Sequence, residues 1–305
     1  MPSKESYALA EFYQVTKSTT QGQNLPLNIS RPVLDELHTL SSEPTDVTYE
    51  EVQCPGTVRP AIWCKPLSAS PTHAIIYFHG GGYFAGSPAS YRKMGGHLAK
   101  AAGVYVLIID YRLAPESQYP AQLEDSTAAW QWLIEKGFKP EQLALGGDSA
   151  GGHLAVTTLL KIKQSSSSLP GAVIAFSPLV DLELKGKSYD TNAGTDGIIT
   201  REQSTVMLAM WLGQGSPKDA AANPLHADFS GCPPLYVAVG DQEVLLDDSV
   251  RLAEVTSDAG VDVKLEVAEG MQHVYTFMAG KAPEADATLK AVGAWLRSKL
   301  SVPSN

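Results

Sequence analysis

Ser149 stands in the run Gly147-Asp148-Ser149-Ala150-Gly151-Gly152, a setting that suits a hydroxyl for attack on a carbonyl carbon. Leu143-Ala144-Leu145 before it reads as a short apolar strand, and His153 to Leu160 after it as a buried helix. A side chain at the sharp bend between strand and helix is forced outward, so the hydroxyl is presented at the end of the sheet. The glycines two positions to either side lack the Cβ atoms that would collide in so tight a bend. An ordinary glycine-rich turn opening a helix has the same pattern, and a second feature separates the two. His79-Gly80-Gly81-Gly82 follows another strand, His73 to Phe78, and leaves bare amides that a ligand can approach closely. Attack on a carbonyl develops negative charge on oxygen, and fixed N–H donors stabilise it strongly. A phosphate cradle would want Lys-Ser or Lys-Thr at its end, where Tyr83-Phe84 stands instead. The amides of Gly81, Gly82 and Ala150 are therefore the expected oxyanion donors. His79 and Gly80 are expected to support them, and Asp148 to brace the bend through hydrogen bonds.

With further residues these motifs resemble the esterases related to hormone-sensitive lipase, a branch of the α/β-hydrolase superfamily. The matching residues are His79 to Tyr83, Asp110 to Glu116, Tyr119-Pro120-Ala121, Leu123-Glu124-Asp125, Gly147 to Gly152, Ser177-Pro178 with Asp181-Leu182, and Pro233-Pro234-Leu235. They run in order from about residue 70 to 275, and the first 45 residues carry little of the likeness. The resemblance implies hydrolysis of small, fairly soluble esters of short or medium acyl chains through an acyl-enzyme. Lactones present the same carbonyl, and the same intermediate could pass its acyl group to another nucleophile. It also implies a helical cap built from residues 1–45 and 182–225 over a core of 46–181 and 226–305. Proteins of this fold that lack a triad member bind small molecules instead. A ligand-binding receptor is thus the alternative, weighed against the presence of all the catalytic residue types here.

A serine hydroxyl is a poor nucleophile until a base, usually a histidine held by a carboxylate, takes its proton. In this superfamily the acid and the histidine follow the serine. His153, His226 and His273 lie downstream of Ser149. His153 belongs to the helix that begins at the bend and cannot fold back onto it, and His226 closes the 182–225 insertion. His273 lies in Glu269 to Tyr275, a loop after the last strand, and is the expected base. The family pattern Asp-Pro-Leu-x-Asp falls on Glu243-Val244-Leu245-Leu246-Asp247. Glu243 is then the expected acid, a departure from aspartate that leaves the chemistry unchanged, with Asp241 the alternative. Asp247 and Asp248 are expected to face solvent or cap the following helix. Asp110 and Arg112 are expected to fix a loop at a strand end rather than to do chemistry.

These groups must be held by strands, whose signals recur at 47–53, 58–64, 74–79, 104–109, 143–147, 172–177, 235–240 and 263–268. Helical patterns alternate with them at 90–102, 121–136, 150–163, 246–259 and 284–300. Such alternation predicts an α/β fold with a mostly parallel sheet covered by helices on both faces. The first two strands, joined through Pro55-Gly56-Thr57, are expected to form an antiparallel amino-terminal edge. Further helices are expected at 6–20, at 31–40 with Pro32 in its first turn, and at 201–213.

The 305 residues carry a net charge of −10, which disfavours nucleic acid or an anionic membrane surface as partner. No apolar run approaches a membrane span and no signal-peptide core is present, so a cytoplasmic location is expected. Cys54, Cys64 and Cys232 have no metal spacing. Cys54 and Cys64 could approach across the first hairpin, but reduced thiols are the expectation. No cofactor and no metal are indicated. The four serines at 165–168 read as a flexible surface link, and an edge strand would allow two copies to pair as a homodimer.

Overall fold

Two helices open the chain, α1 (Tyr7–Thr20) and α2 (Leu27–Asp35), the second followed by a 3₁₀ turn at Glu36–Thr39. Then come β1 (Val47–Val52), β2 (Ala61–Pro66), β3 (Ser70–Phe78), α3 (Pro88–Ala102), β4 (Val104–Ile109), α4 (Ala121–Glu135), β5 (Leu143–Asp148), α5 (Ala150–Ser165) and β6 (Ala172–Phe176). Two helices, α6 (Ser188–Thr191) and α7 (Arg201–Leu212), interrupt the alternation. It resumes with β7 (Leu235–Gly240), α8 (Leu246–Asp258), β8 (Val263–Ala268) and α9 (Pro283–Lys299). The structure is a computed structural model and describes residues 2–20, 26–165 and 168–303. The serine link expected at 165–168 has its middle residues outside the described ones.

Among the described residues the strands form one eight-stranded sheet, in the order β1-β2-β4-β3-β5-β6-β7-β8. β2 pairs antiparallel with both β1 and β4, and the remaining neighbours are parallel, as the alternation predicted. A parallel strand covered on both faces must be apolar at every position. Ile75, Ile76, Tyr77 and Phe78 in β3 are accordingly all 0% exposed. Ile75 and Tyr77 pack on the face covered by α3 and α9, whereas Ile76 and Phe78 pack on the face of α4 and α5. Each such side chain contributes about 1.5–3 kcal/mol relative to exposure. β8 lies at the edge, and Leu265 and Val267 there are exposed. No helix of the described residues is long and apolar enough to cross a membrane.

Local chemistry sets the element ends. Ser87 and Ser90 form a reciprocal cap on α3, Ser87 Oγ accepting the Ser90 N–H (3.2 Å) and Ser90 Oγ the Ser87 N–H (3.0 Å). The strand expected from residue 58 begins only at Ala61. The amides of Val58 and Arg59 are spent on the carbonyl and carboxylate of Asp110, and Pro60 has none to offer. The helix expected at 31–40 starts instead at Leu27, and Pro32 lies inside it rather than in a first turn. Extended Pro26 begins that helix early, its carbonyl accepting the N–H groups of Ile29 and Ser30. Cys54, Cys64 and Cys232 are free thiols, and the β1–β2 register sets Cys64 opposite Tyr49.

Asp110 and Arg112 fix their strand end through separate partners. Arg59 forks onto Asp110 (2.8 and 2.9 Å), while Arg112 grips Asp125 (2.7 Å) and Glu124 (2.9 Å). Asp248 neither faces solvent nor caps its own helix: it is 0% exposed and accepts the N–H groups of Val180 (2.9 Å) and Asp181 (2.8 Å). Asp247 likewise turns to the amides of Lys187 and Ser188. Both carboxylates satisfy backbone donors of the chain that leaves β6, buried ones in the case of Asp248, a demand local sequence does not reveal.

Candidate active site

Strand β5 ends at Asp148, and Ser149 follows at φ +53°, a left-handed conformation that is costly for a residue with a Cβ. The bend survives because the backbone around it is locked. Ser149 N–H donates to Phe176 O (2.9 Å), and Ser149 O accepts from His153 and Leu179. A Cβ on Gly151 would overlap the Phe78 carbonyl, and one on Gly147 the Gly151 carbonyl, so only glycine fits at either place. Ala150 is the first residue of α5, so its N–H has no acceptor in the preceding turn.

The glycine segment after β3 turns beside this bend. Gly81 has φ +104° and its carbonyl accepts from Phe84 and Ala85. Among the described residues the N–H groups of Gly81, Gly82 and Ala150 donate to no protein acceptor. Asp148 ties the two segments together, accepting from Gly80 N–H (3.1 Å), Tyr77 Oη (2.9 Å) and Tyr91 Oη (3.0 Å). Burial pushes its pKa up to about 6, against the pull of the two tyrosines, the charge of His273 and the Gly80 amide. His79 is stacked on Tyr111 (centroids 4.3 Å apart) and donates from Nδ1 to Gly80 O (2.8 Å). Burial keeps it neutral by lowering its pKa.

His273 lies in the loop after β8 and Glu243 just after β7. His273 Nδ1 meets Glu243 Oε2 at 2.8 Å, with the glutamate 0% and the histidine 6% exposed. A carboxylate only accepts, so Nδ1 carries the proton, and in the neutral ring Nε2 keeps a lone pair. Glu243 Oε1 accepts from Gly240 N–H (2.6 Å) and Ser177 Oγ (2.7 Å). Burial alone would depress the imidazole; the hydrogen bond and charge of Glu243, with Asp196 and Asp148, outweigh it and raise the pKa above 6.5. Asp241 does not reach this ring. Its carboxylate accepts from Gly270 N–H and Gln242 Nε2, both at 2.7 Å. His153 is held elsewhere, accepting from Tyr83 Oη at Nδ1 (2.6 Å) and donating from Nε2 to Ala222 O (2.7 Å). Burial drives it down to about 4 despite that carbonyl. His226 pairs with Glu183 (3.0 Å).

Ser149, Ser177, Glu243 and His273 thus follow the carboxyl ends of β5, β6, β7 and β8, which are neighbours in the sheet. A hydroxyl, a neutral imidazole on a buried carboxylate and uncommitted amides can together carry acyl transfer. Ser149, Ala150 and Gly82 share the wall of a narrow pocket with Leu179, Leu245, Ile199, Met207 and Leu208.

Several residues here had no assigned part in the sequence. Tyr13 of α1 donates its hydroxyl to His273 O (2.8 Å). Asp196 accepts from Val244, Ile198 and Ile199 N–H. Met207 of α7 sets its sulfur against Gly82. None carries a motif, because each reaches the site from a distant segment. Ser177 stood inside the family resemblance without a role.

Comparison with known proteins agrees with this fold. A family model described as the alpha/beta hydrolase fold matches residues 75–277. An acetyl-hydrolase of Streptomyces hygroscopicus is 36% identical over 78% of this chain and 79% of its own length. An esterase of Acinetobacter venetianus is 32% identical over 96% of each chain. The crystal structure of an esterase from the bacterial hormone-sensitive lipase family superposes with a TM-score of 0.93 at 36% identity, covering 98% of this chain and 99% of that one.

Proposed function

Because the chain belongs to the hormone-sensitive-lipase-like esterases of the α/β-hydrolase family and is a carboxylic ester hydrolase, we propose that it cleaves short-chain esters through an acyl-enzyme on Ser149. His273 Nε2 takes the serine proton as the oxygen attacks the ester carbonyl. The amides of Gly81, Gly82 and Ala150 receive the oxyanion. The imidazolium, steadied by Glu243, protonates the departing alcohol, and water then repeats the sequence to release the acid. The observation that carries this reading is the buried Glu243–His273 hydrogen bond at the carboxyl ends of β7 and β8, on the same side of the sheet as a serine in a left-handed bend after β5. Small lactones offer the same carbonyl and fall within the proposed class.

Residues 1–45 and 182–225 act in this reading as a cap. Support comes from Lys17 Nζ donating to Asp196 O (3.1 Å) and from Ile199, Met207 and Leu208 lining the pocket. The apolar walls that Ile199, Met207 and Leu208 set beside Ser149 suit short acyl chains. With a panel of p-nitrophenyl esters, the wild type is expected to prefer acetate and butyrate. Met207→Ala is expected to raise the hexanoate-to-acetate ratio of kcat/KM by about tenfold, the effect of one pocket-filling contact. An unchanged ratio would remove Met207 from the acyl wall.

The raised imidazole sets the pH dependence. His273 accepts a proton only when neutral, so activity falls as the pH drops through its pKa. The acid limb of kcat/KM for p-nitrophenyl butyrate is expected above pH 6.5, because the negative groups around the ring outweigh its burial. A limb below that value would contradict the electrostatics described.

A further inference from the structure

Ser177 follows β6 and is 1% exposed, with φ +44°. Its hydroxyl does two things at once. It donates to Glu243 Oε1 (2.7 Å), and it accepts the N–H of Val274 (3.1 Å), the residue next to His273. Its own N–H donates to Ala238 O of β7 (2.7 Å). Val274 is also left-handed, at φ +48°. Two neighbouring residues with Cβ atoms therefore hold unfavourable backbone conformations around one buried hydroxyl. Such conformations persist where surrounding bonds over-determine them, and they concentrate at working sites. Ser149 O bonds to Leu179 two residues further on, so the same turn also contacts the serine bend.

We propose that Ser177 is a positioning residue for the ester-cleaving machinery, its hydroxyl clamping the Glu243 carboxylate and the His273 loop in one register. The inference rests on the esterase reading above. Without the hydroxyl, Glu243 Oε1 keeps only the Gly240 amide as donor. The carboxylate charge is then less dispersed and acts more strongly on His273. Val274 N–H, being buried, loses its acceptor, and the His273 loop loses one of its anchors, leaving the Tyr13 and Glu243 bonds. Two separate signatures follow: a lower kcat from misplacement, and an acid limb moved to higher pH. The remaining negative groups acting on the ring, Asp196 and Asp148, are untouched by the change.

The test compares wild type, Ser177→Ala and Ser177→Gly on p-nitrophenyl butyrate, with active sites counted by an organophosphate titrant. Glycine accepts the left-handed backbone freely, so it remains foldable if alanine does not. Both variants are expected to lose kcat about 10- to 100-fold per titrated site, with KM within about twofold. Their acid limbs are expected to rise by about half a pH unit. Wild-type kcat and limb in Ser177→Gly would overturn the proposal, because the backbone alone would then be what matters. A loss confined to the number of titratable sites would overturn it as well. If wild type itself failed to turn over esters, the esterase reading would fall and not the clamp alone.

Discussion

Ser149→Ala is expected to lower kcat for p-nitrophenyl butyrate by about 10⁵- to 10⁶-fold, to the level that binding and oxyanion donors alone sustain. The reasoning is mechanical. In the proposed mechanism the hydroxyl forms the acyl bond, and without it the imidazole has no nucleophile to deprotonate. Burial, the Gly82 and Ala150 amides and the apolar slot all remain in the variant, so substrate binding should persist. That combination distinguishes an enzyme from a receptor on the same scaffold. A receptor would be silent towards esters in both forms and would hold a small molecule tightly in both. Measured turnover of the variant within a hundredfold of wild type would place the nucleophile elsewhere.

The second large effect belongs to the acid. Glu243→Gln is expected to reduce kcat by about 10³- to 10⁴-fold, the scale seen when a triad carboxylate becomes an amide. The amide can present its NH₂ to the ring, which stabilises the tautomer with the proton on Nε2 and blocks acceptance from the serine. It also removes the negative charge that offsets the burial of His273. Any residual activity should therefore show an acid limb at lower pH than wild type, opposite in direction to the Ser177 variants. Asp241→Asn should stay within about tenfold, since that carboxylate only braces the Gly270 and Gln242 end of the loop. A collapse in Asp241→Asn with Glu243→Gln near wild type would reverse the assignment.

The sheet was legible because parallel strands buried on both faces must be apolar, as Ala74 to Phe78 of β3, β4, β5 up to Asp148, β6 and β7 are. Edges were less so. The late start of β2 depends on Asp110 claiming two amides from a segment far away in sequence, and α2 begins early because Pro26 is extended. In the site, the glycines announced the bend and the loop beside it because backbone collisions leave no other residue type. The nearness of Glu243 to His273 could be reached only through a family pattern, since Asp241 fits the same loop by composition. Asp248 was misread because its partners, Val180 and Asp181, lie more than sixty residues upstream. Met207, Asp196 and Tyr13 were out of reach for the same reason: tertiary contact, not local pattern, gives them their place.

The bond from Tyr13 to the carbonyl of His273 spans 260 residues. During synthesis the first helix therefore emerges long before its partner exists, and it must wait, solvated or loosely docked, until some 260 further residues have been made. The seat of the imidazole cannot be completed until both ends of that bond exist, so a nascent chain that stops short of His273 lacks the base on which the proposed ester cleavage depends.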